Sequence, residues 1–171
     1  NPTWKEKYFP GDIWRIGDTY NTAIGQYGFQ VTPIQMLRGV ASIANRGTVL
    51  VPSLEKTTTP LAGALKLPFP DSFYTPIHQG MRLVVLDGTG IVLKSMPFEI
   101  SAKTGTAQVV SIPQSEKVRM KESELQYYER SHAWITTYGP FENPQYAVTV
   151  IEEHGGHGGE AAGDITSKIY D

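Results

Sequence analysis

A chain of 171 residues, 40% hydrophobic and 19% charged, is long and apolar enough to bury a core, which excludes the disordered and fibrous classes. Its 15 basic and 17 acidic side chains leave a formal net charge of -2, so no basic field exists to hold phosphate backbones, and nucleic acid is not an expected partner. The absence of cysteine removes disulfides, thiolate metal sites and cysteine nucleophiles, and it suits a reducing compartment or a periplasm-facing protein equally.

No apolar run approaches the roughly 18 residues that span a bilayer, and Asn1-Pro2-Thr3-Trp4-Lys5 lacks the apolar stretch of a signal peptide. Without an initiator Met, the chain is expected to be a fragment whose anchor, if it has one, lies upstream. Trp4, Tyr8, Phe9, Trp14, Tyr20, Tyr27 and Phe29 crowd the first segment. They suit an aromatic binding wall or the packing under a loop-rich segment.

The first clear element opens at Thr32-Pro33-Ile34-Gln35, where Thr32 can cap, Pro33 fits the first helical position and Gln35 completes a capping box. Ile34, Leu37, Val40, Ala41 and Ala44 then recur at helical spacing until Asn45-Arg46-Gly47, whose glycine can take the left-handed cap. Thr48 to Val51 reads as a short strand, and Ser53 to Pro70, rich in proline and with a Thr triplet, as surface loop. A second helix is expected from Thr75-Pro76 to Asp87-Gly88.

Phe98 to Val110 suits an extended strand. Ser111 to Arg130 is a polar excursion with a short helix around Glu122 to Tyr128. His132 to Tyr138 and Gln145 to Glu152 are strands joined by the turn-rich Gly139-Pro140-Phe141-Glu142-Asn143-Pro144, and they are expected to pair antiparallel. Glycine-dense Gly155 to Gly163 leads into a terminal helix over Ala161 to Tyr170.

Lys103-Thr104-Gly105-Thr106 lies inside the strand from Phe98. A Lys among hydroxyls on a strand is a site for a carboxylate. Alternation puts Lys103 and Gly105 on one face and Thr104 and Thr106 on the other. A glycine inside a strand marks close approach by a ligand or another backbone, and an extended peptide could add to this edge. His154-Gly155-Gly156-His157 between Glu153 and Glu160 carries metal-ligand types, but glycines replace the helical spacing and the expected role is a structural turn, with no metal.

Further stretches stand in a fixed order around the Lys103 strand. They are Gly17-Asp18-Thr19 with Asn21, Ile24-Gly25-Gln26, Thr32-Pro33-Ile34-Gln35-Met36, Gly80-Met81, Gly88-Thr89-Gly90, Lys103 to Gln108, His132-Ala133-Trp134, Pro140 to Pro144 and Gly155 to Gly159. In these the chain resembles the elongation-specific class B penicillin-binding proteins, collinearly over nearly its whole length. Of the three signatures of such serine acyltransferases only Lys-Thr-Gly is present in a matching context. Ser53-Leu54-Glu55-Lys56 has the Ser-x-x-Lys form but follows Pro52 in a loop, and the family's nucleophile precedes every stretch found here. No Ser-x-Asn occurs.

The resemblance implies an α+β fold, an antiparallel sheet with helices on both faces, incomplete here because residues 1–171 form only the C-terminal half of one transpeptidase domain. It implies a D,D-transpeptidase of peptidoglycan synthesis that cross-links stem peptides in cell-wall elongation and binds β-lactams, without a cofactor. A D,D-carboxypeptidase, a β-lactamase, a penicillin-recognising sensor and a non-catalytic scaffold are the competing readings. Carried over, Lys103 places positive charge beside the substrate carboxylate, Thr104 and Thr106 offer it hydroxyls, Gly105 clears the strand for the peptide, and the Thr106 backbone N–H is half of an oxyanion hole. The nucleophile serine is expected from the N-terminal half of the same protein, and this chain alone is expected to be inactive. A glycan polymerase and a cell-shape scaffold are the implied partners, at the periplasmic face of the bacterial inner membrane.

Overall fold

The computed structural model describes residues 1–26, 28–56, 62–110 and 120–171, which form two compact units, Asn1–Val31 and Thr32–Asp171. The first holds α1 (Pro2–Tyr8) and α2 (Ile16–Ala23). Neither helix has an apolar stripe that the sequence announces. Their starts are polar: the Asn1 side chain accepts from the Trp4 N–H at 2.9 Å, and the Asp18 carboxylate accepts from the Arg15 N–H at 2.8 Å.

Lys5 ties this unit together. Its side chain is almost fully buried, with Nζ 2.7 Å from Asp18 and 3.0 Å from Asp12 while donating to the Ile13 carbonyl at 3.0 Å. An ammonium taken from water is tolerated only when its three protons meet such oxygens. The aromatic residues divide between packing and solvent. Trp4 meets Tyr8 and Phe9 with ring centroids 5.7 Å apart in each case, and Trp14 donates to Thr19 at 2.8 Å. Tyr8, Phe9, Tyr20 and Phe29 are largely exposed, and Tyr27 lies outside the described residues.

The second unit opens with α3 (Pro33–Ala44), capped as its sequence requires: Thr32 Oγ1 accepts from the Gln35 N–H and the Gln35 side chain accepts from the Thr32 N–H. Its far end differs from the expectation. Arg46, at φ 58, occupies the left-handed position, its N–H donating to Ile43 O and that of Gly47 to Ser42 O in a Schellman arrangement. Gly47 follows at φ 102, also a conformation that favours glycine, and a Cβ there would lie 2.3 Å from the Tyr74 hydroxyl.

β1 (Thr48–Val49) pairs antiparallel with β2 (Leu65–Lys66), a strand the loop reading did not contain. The Thr triplet itself, residues 57–59, is outside the described residues. α4 (Asp71–Asp87) begins a turn earlier than Pro76 suggested: Pro70 stands at the cap and Pro76 is carried inside the helix. A 3-10 turn (Ile91–Ser95) leads to β3 (Ser101–Ala107), shorter than the Phe98 to Val110 expectation. Residues 111–119 are outside the described residues, and the helix expected around Glu122 to Tyr128 is two 3-10 turns, Glu122–Glu124 and Tyr127–Glu129.

β4 (His132–Gly139) and β5 (Tyr146–Glu152) complete a three-stranded antiparallel sheet in the order β3-β4-β5, with α5 (Ala161–Tyr170) closing the chain. Alternation along β4 divides the core in two. Ala133 and Ile135 face a cluster with Val85, Leu93, Ile100, Ala102, Val150 and Ala162 of α5, while Tyr138 faces Val40 and Ala44 of α3 and Met81 of α4. Helices therefore cover both faces of the sheet. Each fully buried Leu, Ile or Val contributes about 1.5–3 kcal/mol.

Bonds from Arg15 and Lys5 hold Asp12 below the usual value of 3.8, and bonds from Lys5 and the Arg15 N–H do the same for Asp18. Carboxyls lowered in the folded state stabilise it fully above their ordinary value, and that contribution is lost as the pH falls through the lowered one. Protection of the α1 and α2 amides against hydrogen exchange, corrected for intrinsic pH dependence, is therefore expected to collapse as the pH drops below 3.8. In Asp18→Asn, protection is expected to start lower and to show much less of this acid dependence.

Candidate active site

Among the described residues the sheet order makes β3 an edge strand, hydrogen-bonded to β4. Ala102 is buried in the α5-side core, so Thr104 and Thr106 follow it on that face, while Lys103 and Gly105 lie on the α3 side with Thr136 and Trp134 across the strand pair. The four expected residues are thus consecutive on one strand edge. Lys103 is exposed, and its Nζ donates to the Thr104 carbonyl at 2.7 Å, which brings the ammonium back along its own strand. Gly105 sits opposite Trp134, whose Cβ would be 3.3 Å from a Cβ at that glycine.

Thr104 reaches sideways. Its hydroxyl oxygen is 2.7 Å from that of Thr89, in the Gly88-Thr89-Gly90 connection between α4 and the 3-10 turn. That connection is fixed at its base by the Gly90 N–H, which donates to Val84 O at 2.9 Å. Thr89 is the residue the sequence reading gave no role. The triplet stood among the stretches that carry the resemblance, but only the fold shows its neighbour.

The glycine-dense turn after β5 braces both pieces. A Cβ at Gly158 would lie 2.2 Å from the Trp134 carbonyl oxygen and 2.5 Å from that of Gly105, and one at Gly159 would lie 2.0 Å from the Thr89 carbonyl oxygen. Backbone contacts this close admit only glycine. His154 belongs to the same region. Its N–H donates to His132 Nδ1 at 3.0 Å, its own Nδ1 lies 3.2 Å from the Arg130 carbonyl, and its ring packs among Tyr127, Tyr128 and His132. Among the described residues no group of three or more His, Asp or Glu is placed to hold a metal ion.

Ser53 stands apart from a nucleophile's setting. It is exposed after Pro52, donating to Glu55 O at 2.9 Å and accepting from the Glu55 N–H at 3.0 Å, a turn rather than a helix start. A cavity of 410 Å³ is bordered by Arg46, His78, Gln79 and Glu142, among others, and by none of Lys103 to Thr106. The candidate site is a strand edge with a cation, hydroxyls and a glycine. It suits an extended ligand that ends in a carboxylate.

Residues 6–171 match the model of the penicillin binding protein transpeptidase domain. The peptidoglycan D,D-transpeptidase MrdA of Acinetobacter baumannii is 32% identical over 180 residues, covering 100% of this chain and 26% of that protein. Penicillin-binding protein PBP2 of Helicobacter pylori, solved in complex with MreC, aligns with a TM-score of 0.78 at 31% identity over 99% of this chain and 30% of its own. A chain from a peptidoglycan synthase complex that coordinates polymerization and crosslinking aligns with a TM-score of 0.75 at 28% identity, over 99% and 27% respectively. The chain thus spans between a quarter and a third of the length of these relatives. No helix of the described residues is long and apolar enough to cross a membrane.

The glycine contacts give a paired test. Gly158→Ala is expected to lower unfolding stability by about 1–3 kcal/mol or more, because the new Cβ must displace two carbonyls. Gly39→Ala, in the open middle of α3 with nothing within 4 Å, is expected to raise it by about 0.5–1 kcal/mol. Urea unfolding of the two variants checks both signs.

Proposed function

We propose that this chain, which belongs to the penicillin binding protein transpeptidase domain family, is the C-terminal half of the transpeptidase domain of a peptidoglycan D,D-transpeptidase. The observation that carries this reading is the edge strand β3, with Lys103, Thr104, Gly105 and Thr106 in sequence along it. An extended stem peptide adds to that edge by backbone pairing, and Lys103 with the Thr104 and Thr106 hydroxyls takes its terminal carboxylate.

In this mechanism a serine from the upstream half attacks the carbonyl of the penultimate D-Ala. The amide bond breaks, terminal D-Ala leaves as the free amino acid with the serine's proton, and an ester joins enzyme and peptide. The amine of a neighbouring stem peptide then attacks that ester, forms the cross-linking amide and returns a proton to the serine. Both steps pass through an oxyanion, for which the Thr106 N–H is one donor. A donor of this kind is worth about 2.7–4 kcal/mol of barrier. Lys103 holds positive charge beside the carboxylate and beside the upstream serine. β-Lactams enter by the same route and stop at the ester.

The same reading places the protein in cell-wall elongation at the periplasmic face of the inner membrane, held by an upstream anchor. The complex of the Helicobacter pylori relative with MreC and the synthase complex of the other relative support a cell-shape scaffold and a glycan polymerase as partners.

The test uses the full-length protein that contains this chain, incubated with a fluorescent penicillin and analysed by denaturing gel and peptide mass. One acyl group per protein on a serine upstream of Asn1, with transfer of a stem-peptide mimic to an added amine, is the expected result. Lys103→Ala is expected to slow acylation by roughly 100-fold or more without loss of fold. Labelling without transfer makes the protein a sensor, and no labelling overturns the enzymatic reading.

A further inference from the structure

The contact between Thr89 and Thr104 has no place in the mechanism above. Two hydroxyl oxygens 2.7 Å apart form a hydrogen bond in which one donates and the other accepts. Each threonine has one proton and two lone pairs. A carboxylate has no proton to give, so Thr104 can bind one only by donating. Its accepting side then takes the proton of the Thr89 hydroxyl, 2.7 Å away.

The surroundings suit a fixed support. Thr89 lies between two glycines, the Gly90 N–H is tied to Val84 O, and the Thr89 carbonyl stands so near Gly159 that no side chain fits between them. Gly158 of the same turn lies against the Gly105 carbonyl, inside the Lys103 to Thr106 segment. One turn therefore sets the spacing between the Thr89 connection and β3.

We infer that Thr89 is a positioning residue for carboxylate recognition: its hydroxyl donates to Thr104 and so directs the Thr104 proton outward to the terminal carboxylate of the ligand. Without that donor the Thr104 hydroxyl is free to turn among its staggered positions and give its proton to a protein oxygen instead. Aligned in a chain, the two hydroxyls also polarise one another and strengthen the outer bond. The inference rests on the transpeptidase reading, which supplies the carboxylate.

The experiment measures second-order acylation of the full-length protein by a fluorescent penicillin, which carries the same carboxylate, together with thermal midpoints. Thr89→Val, which keeps the shape and removes the hydroxyl, is expected to slow acylation about tenfold, the scale of one hydrogen bond to a charged group. Thr89→Ser is expected to restore it. Because Thr89 acts through Thr104, adding Thr89→Val to Thr104→Val is expected to change nothing further. Wild-type rates in Thr89→Val, additive losses in the double variant, or equal losses in Thr89→Val and Thr89→Ser with lowered midpoints each overturn the inference while the transpeptidase reading stands. Failure of the unmodified protein to be acylated overturns that reading, and this inference with it.

Discussion

Three carbonyl oxygens, those of Trp134, Gly105 and Thr89, converge on the Gly158-Gly159 turn at distances that leave no room for a side chain. This close approach of four stretches of main chain sets the height of β3 relative to β4, to the connection after α4 and to the start of α5. Side-chain packing inside the core tolerates repacking among apolar residues of similar volume. Backbone against backbone has no such freedom, so the position of the strand carrying Lys103 follows from glycine placement more than from any one hydrophobic contact.

Around that junction the sheet is held from both sides, and the two cores differ in character. The α5 side is aliphatic, built from Ile100, Ile135, Leu93, Val85 and Val150 around small residues such as Ala102, Ala133 and Ala162. On the α3 side Tyr138 is buried against Val40, Ala44 and Met81, with the His78 ring 5.3 Å away and His78 Nε2 within 2.7 Å of the Ile43 carbonyl. Burial raises the Tyr138 phenol above its usual value, which keeps it neutral where a charge could not be solvated. α4 joins the two cores, Met81 serving one and Val85 the other, one helical turn apart.

Legibility in the sequence followed the range of the physics. The α3 start was visible because Thr32, Pro33 and Gln35 carry its hydrogen bonds locally, and β4, β5 and α5 were visible because their patterns and turns are local too. α1 and α2 were missed because their shared bond is the buried Lys5 with Asp12 and Asp18, and a lone lysine in a sequence looks like a solvated one. The α4 start was misplaced because Pro76 resembles a first-turn proline, whereas a helix also carries one a turn further in when neighbouring structure holds it. Lys103 to Thr106 was legible through its motif and through the glycine within a strand. Thr89 was not, since a contact across 15 residues between two hydroxyls leaves no periodicity to read.

Being an edge strand has a second side for β3. The edge of a sheet can pair with any extended chain, including the same edge of another molecule. β3 is seven residues long, with Gly105 inside it and the exposed Lys103 along it. Two copies meeting edge to edge bring ammonium toward ammonium, whereas a ligand ending in carboxylate brings the opposite sign. On the transpeptidase reading, the charge that selects the carboxylate of the ligand is the same one that opposes the pairing of two copies.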